Sequence, residues 1–118
     1  MVLVDTSVWV AHLRKGDTGL EKLLGKGAVL SHPFVIGELA CGNLANRNEI
    51  LGLLRALPRA STVLDEEILG FIERHGLMGR GLGYVDIHLL ASALLASAPF
   101  WTLDQPLISV ADELGIAF

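Results

Sequence analysis

Four of the 13 acidic residues lie inside or at the edge of apolar stretches, where a carboxylate is unusual. Asp5 follows the apolar residues MVLV, and Asp104 follows APFWTL. Glu38 lies within the segment HPFVIGELACG, and Asp86 is near the start of the apolar segment YVDIHLLASALL. A carboxylate in an apolar setting costs several kcal/mol unless it finds partners. These four positions therefore predict a site that needs negative charge.

Carboxylates gathered in one place raise one another's pKa, and a divalent cation reverses that effect. Asp and Glu oxygens without nearby Cys or His ligands suit Mg²⁺ or Mn²⁺. Such an ion lowers the pKa of a bound water and neutralises phosphate oxygens during a displacement at phosphorus. The four residues thus point to metal-dependent hydrolysis of a phosphate ester. The remaining acids have ordinary explanations, with Asp17 and Asp65 predicted as helix caps.

Short apolar runs alternate with amphipathic segments along the chain, which predicts the elements that must position these carboxylates. Strands are expected at residues 1–4, 28–30, 61–64, 98–103 and 115–118. Helices are expected at residues 6–13, 18–25, 33–44, 47–57, 66–75, 84–97 and 107–114. This order predicts an α/β fold with a mostly parallel central sheet of four to five short strands flanked by helices. The length favours a single domain over residues 1–118.

The predicted sheet brings the four carboxylates to one edge. Asp5 and Asp104 follow strands, and parallel strands end at the same edge, where α/β proteins bind ligands. Glu38 and Asp86 lie near the starts of helices that begin at that edge. Each Asp has an alternative role, because Asp5 and Asp104 could cap helices and Asp86 could favour a helix N-terminus. Glu38 lies too far inside its helix to act as a cap.

The charge distribution limits the kinds of ligand. The net charge of −4 argues against binding of nucleic acid by bulk positive charge. All nine Lys and Arg residues lie at or before Arg80, and residues 81–118 contain four acids and no base. A bound metal, or basic residues from the first part of the chain, must therefore attract an anionic ligand.

No segment predicts export or a membrane span. The longest uncharged run, Ile87 to Leu103, has 17 residues and contains Pro99, which favours a helix followed by a strand. The N-terminal apolar run is too short for a signal peptide. A single cysteine, Cys41, excludes an intramolecular disulfide and fits a reducing cytoplasm; we expect it to be a small buried hydrophobe.

The other candidate groups favour structural roles. GLMGRGLG has the wrong glycine spacing for a dinucleotide loop and follows a helix, so it predicts a connecting loop that carries Arg80. The four histidines are scattered in the sequence. We expect His32 to cap a helix and His75 to end one, and we assign no ligand role to His12 or His88.

Four segments in order, VDTSVWV, HPFVIGELACG, GYVDIHLLASALL and FWTLDQPL, resemble the motifs of the PIN-domain family. Within that family the chain is similar to the VapC-like toxins of toxin–antitoxin pairs. The resemblance implies a parallel sheet flanked by helices and a cytoplasmic ribonuclease that depends on Mg²⁺ or Mn²⁺. It places the acidic quartet on Asp5, Glu38, Asp86 and Asp104. It implies that Thr6 or Ser7, together with Thr102, holds a carboxylate or a metal-bound water.

The same resemblance implies RNA as substrate, a VapB-like antitoxin whose tail enters the acidic cleft, and a homodimer. The chain departs from the family where a basic residue often follows the last motif Asp, since it has Gln105 and Pro106 there. The basic residues that could contact RNA instead are Arg14, Lys15, Arg47 and Arg80.

Two other functions remain open from the sequence. An acidic α/β phosphohydrolase would use Asp5 as a covalent nucleophile, but the residues after Asp5 are Thr6, Ser7 and Val8 rather than a DxD pattern. A non-catalytic PIN-like binding module is the second alternative. It has no need of four acids that repel one another.

Overall fold

A three-stranded, fully parallel sheet forms the centre of the computed structural model, which describes residues 1–118. The strands are β1 (Val2–Val4), β2 (Val29–Leu30) and β3 (Phe100–Trp101), in the order β2-β1-β3. Leu3 of the central strand lies opposite Leu30 on one side and Phe100 on the other. The predicted α/β class and parallel arrangement are confirmed, and β1 lies in the middle of the sheet.

Seven helices flank this sheet. They are α1 (Thr6–Lys15), α2 (Thr18–Gly25), α3 (Pro33–Ala40), α4 (Arg47–Ala56), α5 (Asp65–His75), α6 (Tyr84–Leu95) and α7 (Gln105–Glu113). Each strand is followed by a helix, so α1, α3 and α7 all begin near the carboxyl edge of the sheet. None of the helices is long and apolar enough to cross a bilayer.

The sheet has fewer strands than the four to five predicted from the sequence. Residues 61–64 form no strand, because the chain pairs with β2 earlier: Ser31 forms a parallel bridge with Arg59, and its N–H donates to the Pro58 carbonyl at 2.7 Å. At the other edge, the predicted strand 115–118 contributes only a parallel bridge between Ala117 and Phe100. Both edges are therefore extended by single bridges rather than by full strands.

Two local predictions were wrong at helix ends. Leu64, rather than Asp65, is the N-cap of α5, and Asp65 is its first helical residue. The third helix ends at Ala40 instead of residue 44, because Gly42 and Asn43 are poor helix formers. Cys41 is consequently exposed and is not the buried hydrophobe that we expected. The predicted caps Asp17 and His32 are both confirmed by side-chain hydrogen bonds.

The core lies between the sheet and the helices and contains 24 buried apolar residues in one cluster. All three residues of β1 are buried, as expected for the central strand of a parallel sheet. The segment Ile87–Ala93 of α6 is buried without interruption, so this helix lies in the interior. Asp86 directly precedes that buried segment.

Candidate active site

Asp5 is the most buried of the four carboxylates, with 5% of its surface exposed. It directly follows β1 and is the N-cap residue of α1, but its side chain accepts no hydrogen bond from a backbone N–H of that helix. Its Oδ2 instead accepts hydrogen bonds from the hydroxyls of Ser7 and Thr102, both at 2.8 Å. The alternative role of Asp5 as a side-chain helix cap is therefore wrong, and two hydroxyls orient its carboxylate.

Thr102 and Ser7 also connect the chain after β3 to the start of α1. The backbone N–H of Asp104 donates to Thr102 Oγ1 at 3.1 Å, and that of Leu103 donates to Ser7 Oγ at 3.0 Å. The two hydroxyl oxygens lie 3.4 Å apart. This network holds the residues after two neighbouring strands in one arrangement around Asp5.

Asp104 lies at the carboxyl edge of the sheet, shortly after β3, and is also the N-cap residue of α7. Its Oδ2 accepts a hydrogen bond from the N–H of Leu107 at 3.3 Å, so it caps α7 as one sequence interpretation proposed. It is exposed to solvent. The cap uses only one of its two carboxylate oxygens.

Asp86 lies in the first turn of α6, and its Oδ2 accepts a hydrogen bond from the N–H of Gly83 at 2.9 Å. Partial burial raises the pKa of Asp86, and the negative charges of Asp5 and Asp104 raise it further, while the Gly83 N–H acts in the opposite direction. Asp86 thus lies within electrostatic range of both Asp5 and Asp104. A cation placed among them would relieve this repulsion.

Glu38 is exposed on α3, which packs against α1. The hydroxyl of Thr6 donates to Glu38 Oε1 at 2.6 Å. Because Thr6 immediately follows Asp5, this bond joins Glu38 to the residues around the central strand. Thr6 therefore holds Glu38, whereas Ser7 and Thr102 hold Asp5, so the three predicted hydroxyl residues all contact a carboxylate of the quartet.

The four carboxylates share one pattern. Each has one oxygen held by a hydrogen bond, while the other oxygen accepts none from the protein, and none of the four forms an ion pair. No three His, Cys, Asp or Glu side chains lie close enough to form a metal-binding group in this arrangement. In chemical type the four free oxygens fit Mg²⁺ or Mn²⁺, which prefer oxygen ligands.

The four candidate RNA-contacting residues differ in their surroundings. The guanidinium of Arg80 binds both carboxylate oxygens of Glu113, at 3.0 and 3.1 Å. Arg14 lines a groove that also contains Glu38, and Arg47 donates to the Gly42 carbonyl of that groove at 3.3 Å. Lys15 is exposed at the end of α1. Arg14 is therefore the candidate that shares a groove with a carboxylate of the quartet.

Sequence reasoning missed a second polar cluster near the same edge of the sheet. The imidazole of His88, 2% exposed, packs against the rings of Phe34 and Tyr84, and the Tyr84 hydroxyl donates to Asp65 at 3.0 Å. His32, fully buried, bonds Ser92 through Nε2 at 3.1 Å. Burial, with the nearby His88 and Arg59, lowers the pKa of His32 to about 4.

A parallel α/β domain with four carboxylates near the ends of its strands and the starts of its helices defines an acidic site at the carboxyl edge of the sheet. The family model described as "PIN domain" matches residues 2–113. The chain therefore belongs to the PIN-domain family, and the resemblance inferred from its four motifs is confirmed.

The chain is also similar to individual members. Ribonuclease VapC32 of Mycobacterium tuberculosis, found in two strains, is 46% identical over 118 residues, which cover 99% of this chain and 95% of that protein. The crystal structure of PAE2754 from Pyrobaculum aerophilum matches 97% of this chain and 88% of its own, with a TM-score of 0.61 and 16% identity. That second likeness supports the fold alone.

Proposed function

We propose that this chain is an endoribonuclease that depends on Mg²⁺ or Mn²⁺ and acts as the toxin of a toxin–antitoxin pair. The observation that carries the proposal is the shared pattern of the quartet: each carboxylate is oriented through one oxygen and leaves the other free. Family membership and the similarity to Ribonuclease VapC32 support RNA as the substrate. An RNA substrate and the single cysteine fit action in the cytoplasm.

The residues of the quartet divide the work in the proposed mechanism. Asp5, Asp86 and Asp104 are the residues whose free oxygens would hold the cation, and the cation would supply neutralisation of charge on the scissile phosphate. Ser7 and Thr102 keep the Asp5 carboxylate in one orientation, so that little reorganisation is needed on binding.

Glu38 is the candidate general base for the attacking water. Its side chain is exposed, and the Thr6 hydroxyl holds Oε1, which leaves Oε2 to take the proton. The water oxygen then bonds to phosphorus while the bond to the departing sugar oxygen breaks. No covalent intermediate with the protein is needed.

The proposal is tested by incubating a panel of structured and single-stranded RNAs with the protein, with and without Mn²⁺. Cleavage should require the metal and should be lost in Asp5→Asn but retained in Asp112→Asn, an exposed acid on α7 that serves as the control. Mn²⁺ should also raise the melting temperature of the wild type more than that of Asp5→Asn, since it binds the folded state. A phosphorylated Asp5 trapped with a phosphate ester would favour the phosphohydrolase instead.

The antitoxin is proposed to bind along α1 and to reach the quartet. An apolar groove of about 400 Å³ lies between α1, α2 and α4, and Leu13 lines both this groove and the groove that contains Glu38. A partner with an apolar helix followed by a basic residue would fit this continuous surface, because the base would meet the carboxylates. We also propose a homodimer, which light scattering should detect as a mass near twice 12.6 kDa.

The groove can be tested separately from catalysis. Leu53, 61% exposed in the apolar groove, should tolerate Leu53→Asp without loss of RNA cleavage, whereas inhibition by the cognate antitoxin should weaken. Leu69→Asp is the control, since Leu69 is equally exposed, at 60%, on α5 outside the groove. Equal inhibition of both variants would contradict this binding mode.

A further inference from the structure

Two exposed aromatic side chains lie on the helices that carry two members of the quartet. Phe34 is 37% exposed on α3, four residues before Glu38, and Tyr84 is 46% exposed at the start of α6, two residues before Asp86. We propose that Phe34 and Tyr84 form a stacking subsite for an unpaired nucleobase of the substrate. The inference rests on the proposed ribonuclease function and narrows its substrate to RNA with a single-stranded segment.

Both rings pack against the same buried residue, His88. The ring centroids of Phe34 and Tyr84 lie 4.9 and 4.8 Å from that of His88, each in an edge-to-face arrangement. Neither ring nitrogen of His88 has a hydrogen-bond partner, and Nε2 lies 3.3 Å from Asp65 Oδ1 without the alignment of a hydrogen bond. A buried polar group without a partner costs about 1–3 kcal/mol, so its position calls for an explanation. Support of two exposed rings is such an explanation.

Tyr84 is fixed at both ends of its ring. Its hydroxyl donates to Asp65 Oδ1 at 3.0 Å, while the ring contacts His88. Phe34 is held by two ring contacts instead, because it packs edge-to-face against His32 at 5.2 Å as well as against His88. Rings that are already ordered lose little conformational entropy on binding, which favours stacking on their exposed surfaces.

The position of the rings fits a nucleotide next to the scissile bond. One helical turn separates Phe34 from Glu38, a rise of about 6 Å along the axis. The first turn of α5 beside Tyr84 contains three acids, Asp65, Glu66 and Glu67, which would repel a phosphate. A neutral, flat base is therefore the part of the nucleotide that suits these rings, and stacking on aromatic side chains is the usual mode for unpaired RNA bases.

The test measures RNA binding without cleavage. All variants are made in the Asp5→Asn background, and a short single-stranded RNA carries 2-aminopurine, whose fluorescence is quenched by stacking. Phe34→Leu and Tyr84→Leu keep apolar side chains but remove the aromatic face, and Tyr84→Phe keeps the face. Leu95→Ala, an exposed residue at the far end of α6, is the matched control.

We expect Phe34→Leu and Tyr84→Leu each to weaken RNA affinity about 5- to 100-fold and to reduce the quenching, as loss of one stacked base predicts. Tyr84→Phe should recover most of the affinity, and Leu95→Ala should match the parent. An RNA with an abasic site at the labelled position should bind parent and Leu variants alike.

The outcomes separate this inference from the proposed function. If the parent binds and quenches the RNA but the Leu variants do so equally, the subsite is overturned while the ribonuclease proposal stands, and a protein partner becomes the better explanation of the rings. If the wild-type protein neither binds nor cleaves any RNA of the panel, both the stacking subsite and the ribonuclease proposal fail. Melting temperatures of all variants establish that they are folded.

Discussion

The polar residues that follow the neighbouring strands β1 and β2 are both buried, but their side chains are hydrogen-bonded in different ways. Each is followed by a buried polar residue at the N-cap position of a helix, Asp5 before α1 and His32 before α3. His32 Nδ1 accepts a hydrogen bond from the N–H of Phe34, and its Nε2 is hydrogen-bonded to the Ser92 hydroxyl. The Asp5 side chain accepts no backbone N–H of α1, and two hydroxyls hold it through a single oxygen.

This difference distinguishes a group that serves the fold from one that is kept free for a ligand. Both nitrogens of His32 are used inside the protein, and burial keeps it neutral. Asp5 leaves Oδ1 without a hydrogen bond from the protein, at the centre of the sheet where α/β proteins bind ligands. The end of β3 lies between these extremes, since Asp104 caps α7 through one oxygen only.

The largest expected effect concerns Asp5, the residue with a free carboxylate oxygen at the end of β1. Asp5→Asn should reduce metal-dependent RNA cleavage by about a thousandfold, because a bound metal contributes several kcal/mol of transition-state stabilisation. The protein should remain folded, since the Asn side chain oxygen can still accept from Ser7 and Thr102. Cleavage of a fluorescent RNA in Mn²⁺ measures the loss, and unchanged cleavage would remove Asp5 from the mechanism.

The next effect concerns His32, after the end of β2, because protonation of its imidazole should destabilise the fold. The pKa of His32 is lowered from 6.5 to about 4, so the unfolded chain binds the proton more tightly than the folded one. Stability from this group is therefore complete above pH 6.5 and falls as the pH drops towards 4, by about 3 kcal/mol in total.

Denaturant unfolding at pH 7, 6 and 5 measures this loss, with His32→Asn as the comparison. Asn can cap α3 through its oxygen but does not titrate, so the variant should lose less stability over the same interval. His88 and Arg59, which also disfavour the protonated form of His32, are unchanged in it. Identical pH dependence in both proteins would contradict the neutral role of His32.

The sequence predicted the ends of the strands better than the contacts between helices. Asp5 and Asp104 could be placed because short apolar runs and parallel connections determine where a strand ends. The contact of Tyr84 with Asp65 could not be predicted from the sequence, because it depends on how α5 packs against α6. The start of α5 was misplaced by one residue, since three consecutive acids offer several equivalent N-terminal positions.

The third effect measures how much the hydrogen bond from the Thr102 hydroxyl to Asp5 contributes to the free energy of unfolding. Thr102→Val keeps the shape of the side chain but removes one donor to Asp5 Oδ2 and the acceptor for the Asp104 N–H. We expect a loss of about 2 kcal/mol in unfolding free energy, because a buried carboxylate loses a partner. Thr102→Ser retains the hydroxyl and should lose much less. Equal losses would assign the effect to packing rather than to the hydrogen bonds.

The smallest effect separates the two roles of Asp104. Asp104→Ala removes the acceptor for the Leu107 N–H and should lower the unfolding free energy by about 1 kcal/mol, whereas Asp104→Asn keeps a side-chain oxygen and should cost less. RNA cleavage should fall in both variants, because both remove the charge that Asp104 contributes near Asp86. If Asp104→Asn retained full cleavage, Asp104 would belong with His32 as a residue of the fold, and only Asp5 and Asp86 would be left to hold the metal.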